Sequence, residues 1–264
     1  MKKNITILLV CLCVVFLGVF TFSGIKLYNI LHGYNEAKTA YTEIRESAVT
    51  TPSPSPAPGS DAVTPAEAGS PEEPEKSPIE VDFPALLAQS EDVVGWLYCE
   101  DTVINYPVVQ GPDNYYYLEY LMDGTYNSCG TIYLDVGCNA DFSSSNSILY
   151  GHHMNDGSML ASLTYYKDQS YYDKHPVLYL NTPSQNYKIE LFSAFTAPDD
   201  SIAYTINFDT VEEYSSFLSQ MKNASDFTCD VNPSTHDKII LFSTCTYEYD
   251  NARYLVLGVL TPVA

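Results

Sequence analysis

Positive charge is scarce in this chain. Of 264 residues only 12 are Lys or Arg, against 33 Asp or Glu, and the formal net charge is −21. That balance argues against nucleic acid as a partner, because binding phosphate takes a basic face. It also disfavours docking of the folded part on anionic lipid. The deficit is uneven: residues 1–78 sum to −2 and residues 79–264 to −19. Arginine is scarcer still, with Arg45 and Arg253 alone, and Arg45 is expected to lie outside the folded region. No Cys-x-x-Cys pair is present, so a zinc site or redox dithiol has little support. Five cysteines fall in the region expected to fold (Cys99, Cys129, Cys138, Cys229 and Cys245), so at least one stays unpaired or bridges chains. A Cys129–Cys138 disulfide is open; the bland reading of the four besides Cys245 is small, buried apolar side chains. His32, His175 and His236 show no ligand spacing to His152 and His153. Adjacent histidines on an extended segment point to opposite sides, so no metal is expected. No internal repeat is present.

One stretch lacks charge altogether. Residues 4–25 are mostly Ile, Leu, Val, Phe and Cys, with Lys2 and Lys3 before them and Lys26 after. As a helix at ~1.5 Å per residue the run reaches roughly 33 Å, enough for a hydrocarbon core of about 30 Å. No A-x-A-like site follows it, which favours an uncleaved anchor over a signal peptide. Val10 before Cys11 argues against a lipoprotein. The N-terminal lysines favour a cytoplasmic N-terminus with the remainder outside. Residues 1–26 therefore read as a cytoplasmic stub and transmembrane anchor, and 27–46 as a polar stalk. Residues 47–78 hold eight of the 16 prolines and read as a linker. At ~3.1 Å per residue this spacer extends to roughly 100 Å.

Residues 79–264 read as one domain, long enough for a single core. Short helices are expected near 84–90 and 157–166. Strands are expected near 94–98, 103–109, 130–134, 146–150, 176–181 and 187–197. A longer helix is expected near 210–222, where Thr210 and Glu213 form a capping-box pattern. Its residues Val211, Tyr214, Phe217, Leu218 and Met221 share one face. Strands at 238–244 and 253–260 close the domain. Strands outnumber helices and their links are short, which predicts a mostly β, largely antiparallel sheet or barrel with peripheral helices.

The last strands carry the strongest chemical signal. The apolar run Lys238-Ile239-Ile240-Leu241-Phe242-Ser243-Thr244 ends on Cys245, and a polar loop follows before Arg253 opens the returning strand. Strand ends that open into loops often display reactive groups. Antiparallel strands joined by a short loop bring their facing ends together. A thiol attacks as its thiolate, and a fixed cation favours that form. The alternatives are a buried strand-end cysteine and an arginine in a surface salt bridge. A third element is Ser147-Ile148-Leu149-Tyr150-Gly151-His152-His153-Met154, where a strand runs into Gly and two histidines. Histidine suits protonation of a leaving amine near neutral pH.

Together these elements resemble the sortases, cysteine transpeptidases of the Gram-positive surface. The family's TLxTC-type strand matches Leu241-Phe242-Ser243-Thr244-Cys245, departing from it at Leu241 and Phe242. Its His matches His152, with His153 as a rival, and its Arg matches Arg253. The double His, Asn105-Tyr106-Pro107-Val108-Val109-Gln110 and the helix near 210–222 look most like class B. The resemblance covers roughly 80–262 and implies an eight-stranded β-barrel after a transmembrane helix, with no cofactor. Calcium helps some class A members, and no compact acidic cluster here demands it. The implied reaction cleaves a C-terminal sorting motif after Thr, NPQTN-like or a proline-threonine-glycine variant in class B relatives, forms a thioacyl-enzyme on Cys245 and transfers the secreted protein to a peptidoglycan amine. His152 would protonate the leaving amine, and Arg253 would stabilise the oxyanion or hold the substrate backbone. Ser243 is a candidate groove residue, on the face of Cys245, and the N–H of Thr246 a candidate second oxyanion donor. Rival readings are a pilus-polymerising sortase, a hydrolytic cysteine protease and a membrane-tethered binding module with an inert cysteine.

Overall fold

The computed structural model describes residues 2–51 and 75–264, so most of the Pro-rich linker lies outside the described residues. Two compact units are present, the first ending at Thr42 and the second running Glu43–Ala264. Helix α1 spans Lys2–Ala48. It contains a window with mean hydropathy 1.9, long and apolar enough to cross a membrane. Side chains such as Phe16, Phe20 and Phe22 on it are exposed.

The second unit takes in the end of α1. Ile44 and Ala48 are buried there, and β1 (Val49–Thr50) pairs with β2 (Glu80–Val81). Arg45, expected outside the folded region, is thus part of this unit; its Nε is buried without a hydrogen-bond partner. Helix α2 (Phe83–Leu87) starts where the Asp82 carboxylate accepts from the Ala85 N–H at 3.0 Å, a side-chain cap for an otherwise orphaned donor.

Eight strands close into a barrel: β3 (Val93–Tyr98), β4 (Asn105–Val109), β5 (Ile132–Leu134), β6 (Asn146–Tyr150), β7 (Val177–Asn181), β8 (Asn186–Pro198), β9 (Lys238–Cys245) and β10 (Ala252–Val263). The order around it is β10-β8-β7-β3-β4-β5-β6-β9. All pairings are antiparallel except β4 with β5 and β6 with β9. In β9 every residue from Ile239 to Thr244 is buried, as expected of a strand covered on both faces rather than one that alternates between core and water. β10 bears the same unbroken burial from Tyr254 to Leu257.

The helix expected near 157–166 is a turn followed by a 3-10 segment at Ala161–Lys167. Gly157 (φ +83°) and Met159 (φ +57°) adopt left-handed backbone, which a right-handed helix does not accommodate. A short α3 (Gln169–Tyr172) follows. Helix α4 (Val211–Asn223) begins as its sequence predicts: Thr210 Oγ1 accepts from the Glu213 N–H at 3.1 Å. Tyr214, Phe217, Leu218 and Met221 are buried, whereas Val211 in the first turn is exposed.

Candidate active site

Three pairings assemble the site. In the β9–β10 hairpin Cys245 stands directly across from Arg253. On the other side of β9 lies β6, in parallel, with Tyr150 opposite Ser243. The ladder runs one residue further, the Gly151 N–H donating to the Ser243 carbonyl at 3.2 Å. Two parallel neighbours end at the same rim, so His152 emerges beside the end of the cysteine strand. A side chain at Gly151 would lie 2.7 Å from Leu160, so only glycine lets the chain turn there without displacing the wall.

His152, Cys245 and Arg253 line one open cavity of about 480 Å³. Its other walls are Asn114, Tyr115, Leu118, Tyr133, Tyr150, Gly151, Asp199, Tyr204, Ser243 and Thr244. His152 Nε2 lies 2.8 Å from the Leu118 carbonyl oxygen. A carbonyl only accepts, so Nε2 carries the hydrogen and Nδ1 is left as the nitrogen that can exchange a proton. The Arg253 guanidinium donates through Nη1 to the Ala252 carbonyl at 3.1 Å and lies 3.6 Å from Asp199 through Nη2.

His153, the rival histidine, takes a different place. Its Nδ1 is 3.0 Å from the carbonyl of Cys245 and its ring meets Tyr247 edge-on. It buttresses the backbone of the cysteine and is not among the cavity walls.

No family model matches the chain. It is 31% identical over 258 residues to sortase B of Listeria monocytogenes serovar 1/2a, covering 94% of this chain and 95% of that protein. The chain belongs to the sortase B family. Its solved relatives agree: a Staphylococcus aureus sortase B–substrate complex superposes with a TM-score of 0.66 at 31% identity, over 69% of this chain and 85% of that one. Sortase B from B. anthracis in complex with AAEK1 gives 0.71 at 29% identity, over 88% and 100%. The fold is the eight-stranded sortase barrel, and the enzyme is a sortase cysteine transpeptidase.

The remaining site residues sort cleanly in this sortase. Ser243 is a cavity wall, its hydroxyl 2.9 Å from the Tyr204 phenol. Thr246 takes a different place from the one expected. Its N–H donates to the Ala252 carbonyl at 3.1 Å and it lies outside the cavity walls. The hairpin pairing continues one step beyond the strand and occupies the donor.

Cys99, Cys129 and Cys138 are buried free thiols, each with its pKa pushed up to about 11 by burial. Cys129 and Cys138 form no disulfide. Among the described residues no group of three or more His, Cys, Asp or Glu side chains is placed to hold a metal ion.

Several site residues escaped the sequence reading. Asp135, almost fully buried, accepts from Asn114 Nδ2 (2.8 Å), the Tyr150 hydroxyl (2.9 Å) and the Gly137 N–H (2.8 Å). It thereby fixes two cavity walls from behind. Tyr133 stacks obliquely on Tyr150, and Tyr150 on Tyr204, building an aromatic floor that reaches Ser243. Tyr150 was within reach of sequence reasoning, since it ends the strand two residues before His152. Asn114 and Asp199 lie in irregular segments and Tyr204 ends a single 3-10 turn, where no periodicity marks them.

Proposed function

We propose that this sortase uses Cys245 as nucleophile, His152 as acid and base, and Arg253 as oxyanion ligand, joining secreted proteins to an amine of peptidoglycan. The observation that carries the reading is the convergence of these three side chains on one cavity. In the first step Cys245 Sγ attacks the Thr carbonyl of a C-terminal sorting motif of NPQTN-like type. His152 Nδ1 takes the thiol proton of Cys245 as the C–S bond forms, and delivers that same proton to the departing amine as the C–N bond breaks. Arg253, a planar and permanently charged donor, meets the charge that develops on the carbonyl oxygen. The Leu118 carbonyl holds the ring of His152 in the tautomer this needs. An acceptor amine then opens the thioester.

The apolar helix α1 supports anchoring in the membrane, and Lys2 and Lys3 support an N-terminus on the cytoplasmic side. The linker then holds residues 79–264, the catalytic domain, outside the cell, where secreted substrates and wall amines are both found.

The test is product analysis by mass spectrometry. The full chain in detergent is incubated with a panel of quenched sorting peptides and an amine acceptor, beside Cys245→Ala. Cleavage after Thr with an amine-linked product, absent from the variant, is expected. Free acid as sole product would favour a hydrolytic protease, and an uncleaved panel with Cys245 inert to a thiol probe would favour a binding module.

A further inference from the structure

We infer that Asp199 is the docking carboxylate for the incoming acceptor, a primary ammonium. The inference rests on the transpeptidation reading above. Asp199 is the only carboxylate among the walls of the cavity that holds Cys245 and His152. Its sole charged neighbour there is Arg253, reached through Oδ2 at 3.6 Å, longer than a hydrogen bond. The side chain is 46% exposed, so the carboxylate stays open to a ligand. The need for it follows from Arg253. A guanidinium beside the thioester stabilises an oxyanion but repels a cationic acceptor, and a carboxylate next to it reverses that repulsion locally.

The second step then balances. His152 is neutral after the first step and takes one proton from the ammonium held by Asp199. The freed lone pair attacks the thioester, the C–N bond forms and the C–S bond breaks. The proton that the new amide sheds goes to the departing sulfur of Cys245. Asp199 binds and orients throughout and keeps its charge.

Two sources offer a primary ammonium, a peptide N-terminus and a lysine side chain. The full chain in detergent, with Asp199→Asn and Asp199→Glu, is supplied with a donor peptide and one of three acceptors: triglycinamide, Nα-acetyl-lysinamide or hydroxylamine. The ratio of amine-linked to hydrolysed product is read as a function of acceptor concentration. Asp199→Asn is expected to lower that ratio roughly fivefold with the ammonium acceptors. It should leave the ratio unchanged with hydroxylamine, which is uncharged at neutral pH, and Asp199→Glu should restore part of the loss. The ammonium acceptor that suffers more identifies the source. An equal loss with hydroxylamine would make Asp199 a positioning residue for Arg253 and overturn the proposal, as would no loss with any acceptor. A wild-type protein that cleaves no donor overturns this inference and the transpeptidation reading together.

Discussion

Removing the Asp135 carboxylate should loosen both the barrel and the groove. In Asp135→Ala three donors lose their acceptor: the Gly137 N–H, the Tyr150 hydroxyl and the Asn114 amide. A buried donor left unpaired costs about 1–3 kcal/mol. Asn114 and Tyr150 also face the cavity, so water replaces part of what they lose, and the sum comes to about 3 kcal/mol. In a domain of this size each kcal/mol moves Tm by roughly 2–4 °C, which gives a fall of about 6–12 °C. Asp135→Asn retains one acceptor oxygen but turns an N–H₂ towards a donor, so about half that fall is expected. The chain supplies its own reporter. Its single tryptophan, Trp96, is fully buried and donates to Asn105 Oδ1 at 2.7 Å. Thermal unfolding read by its fluorescence gives Tm, and cleavage of a sorting peptide by the folded protein gives the groove effect, a loss of about tenfold in kcat/KM, equivalent to ~1.4 kcal/mol. An Asp135→Ala protein that melts within about 2 °C of wild type would refute the network as a structural element.

Other perturbations test the site directly. Alkylation of the native protein near pH 7.5 should modify Cys245 and spare Cys99, Cys129 and Cys138. These three stay almost wholly protonated at that pH, because burial holds them near 11; comparable labelling of all four, mapped by peptide mass spectrometry, would contradict their placement. Arg253→Lys keeps the charge and loses the planar fork, so kcat should fall by about 10²-fold; near-normal turnover would leave only a field effect. Gly151→Ala forces its new methyl group against Leu160, and overpacking of this kind costs about 1–3 kcal/mol. Its activity should fall further than its Tm accounts for, since the displaced segment carries His152.

Much of this fold was legible because its strands announce themselves. The run from Ile239 to Thr244 is apolar without interruption and ends on a polar loop, and the structure buries all of it. The capping pattern of Thr210 and Glu213 likewise fixed the start of α4. Local signals failed where backbone conformation outweighed composition, as at 157–166, where two left-handed residues break the expected helix. The partner of the Thr246 N–H was not legible either, because no sequence pattern reports which carbonyl an N–H will find. The pairing of β6 with β9 was also invisible, and it is this pairing that brings His152 alongside Cys245. Arg45 falls within the second unit for a related reason: a helix reads the same whether its last turn is solvated or buried.

That same parallel pairing has a kinetic consequence. His153 and the carbonyl of Cys245 are 92 positions apart in the chain, and β7, β8 and α4 all lie between the two strands. A contact of such long range is reached only after the entropy of closing a large loop has been overcome. Hairpins such as β9–β10 assemble locally and early, bringing the cysteine and the arginine together ahead of the histidine. Recovery of enzyme activity on refolding should therefore lag behind the formation of strand structure read by far-UV circular dichroism. Until β6 docks on β9, Cys245 and Arg253 stand together without His152.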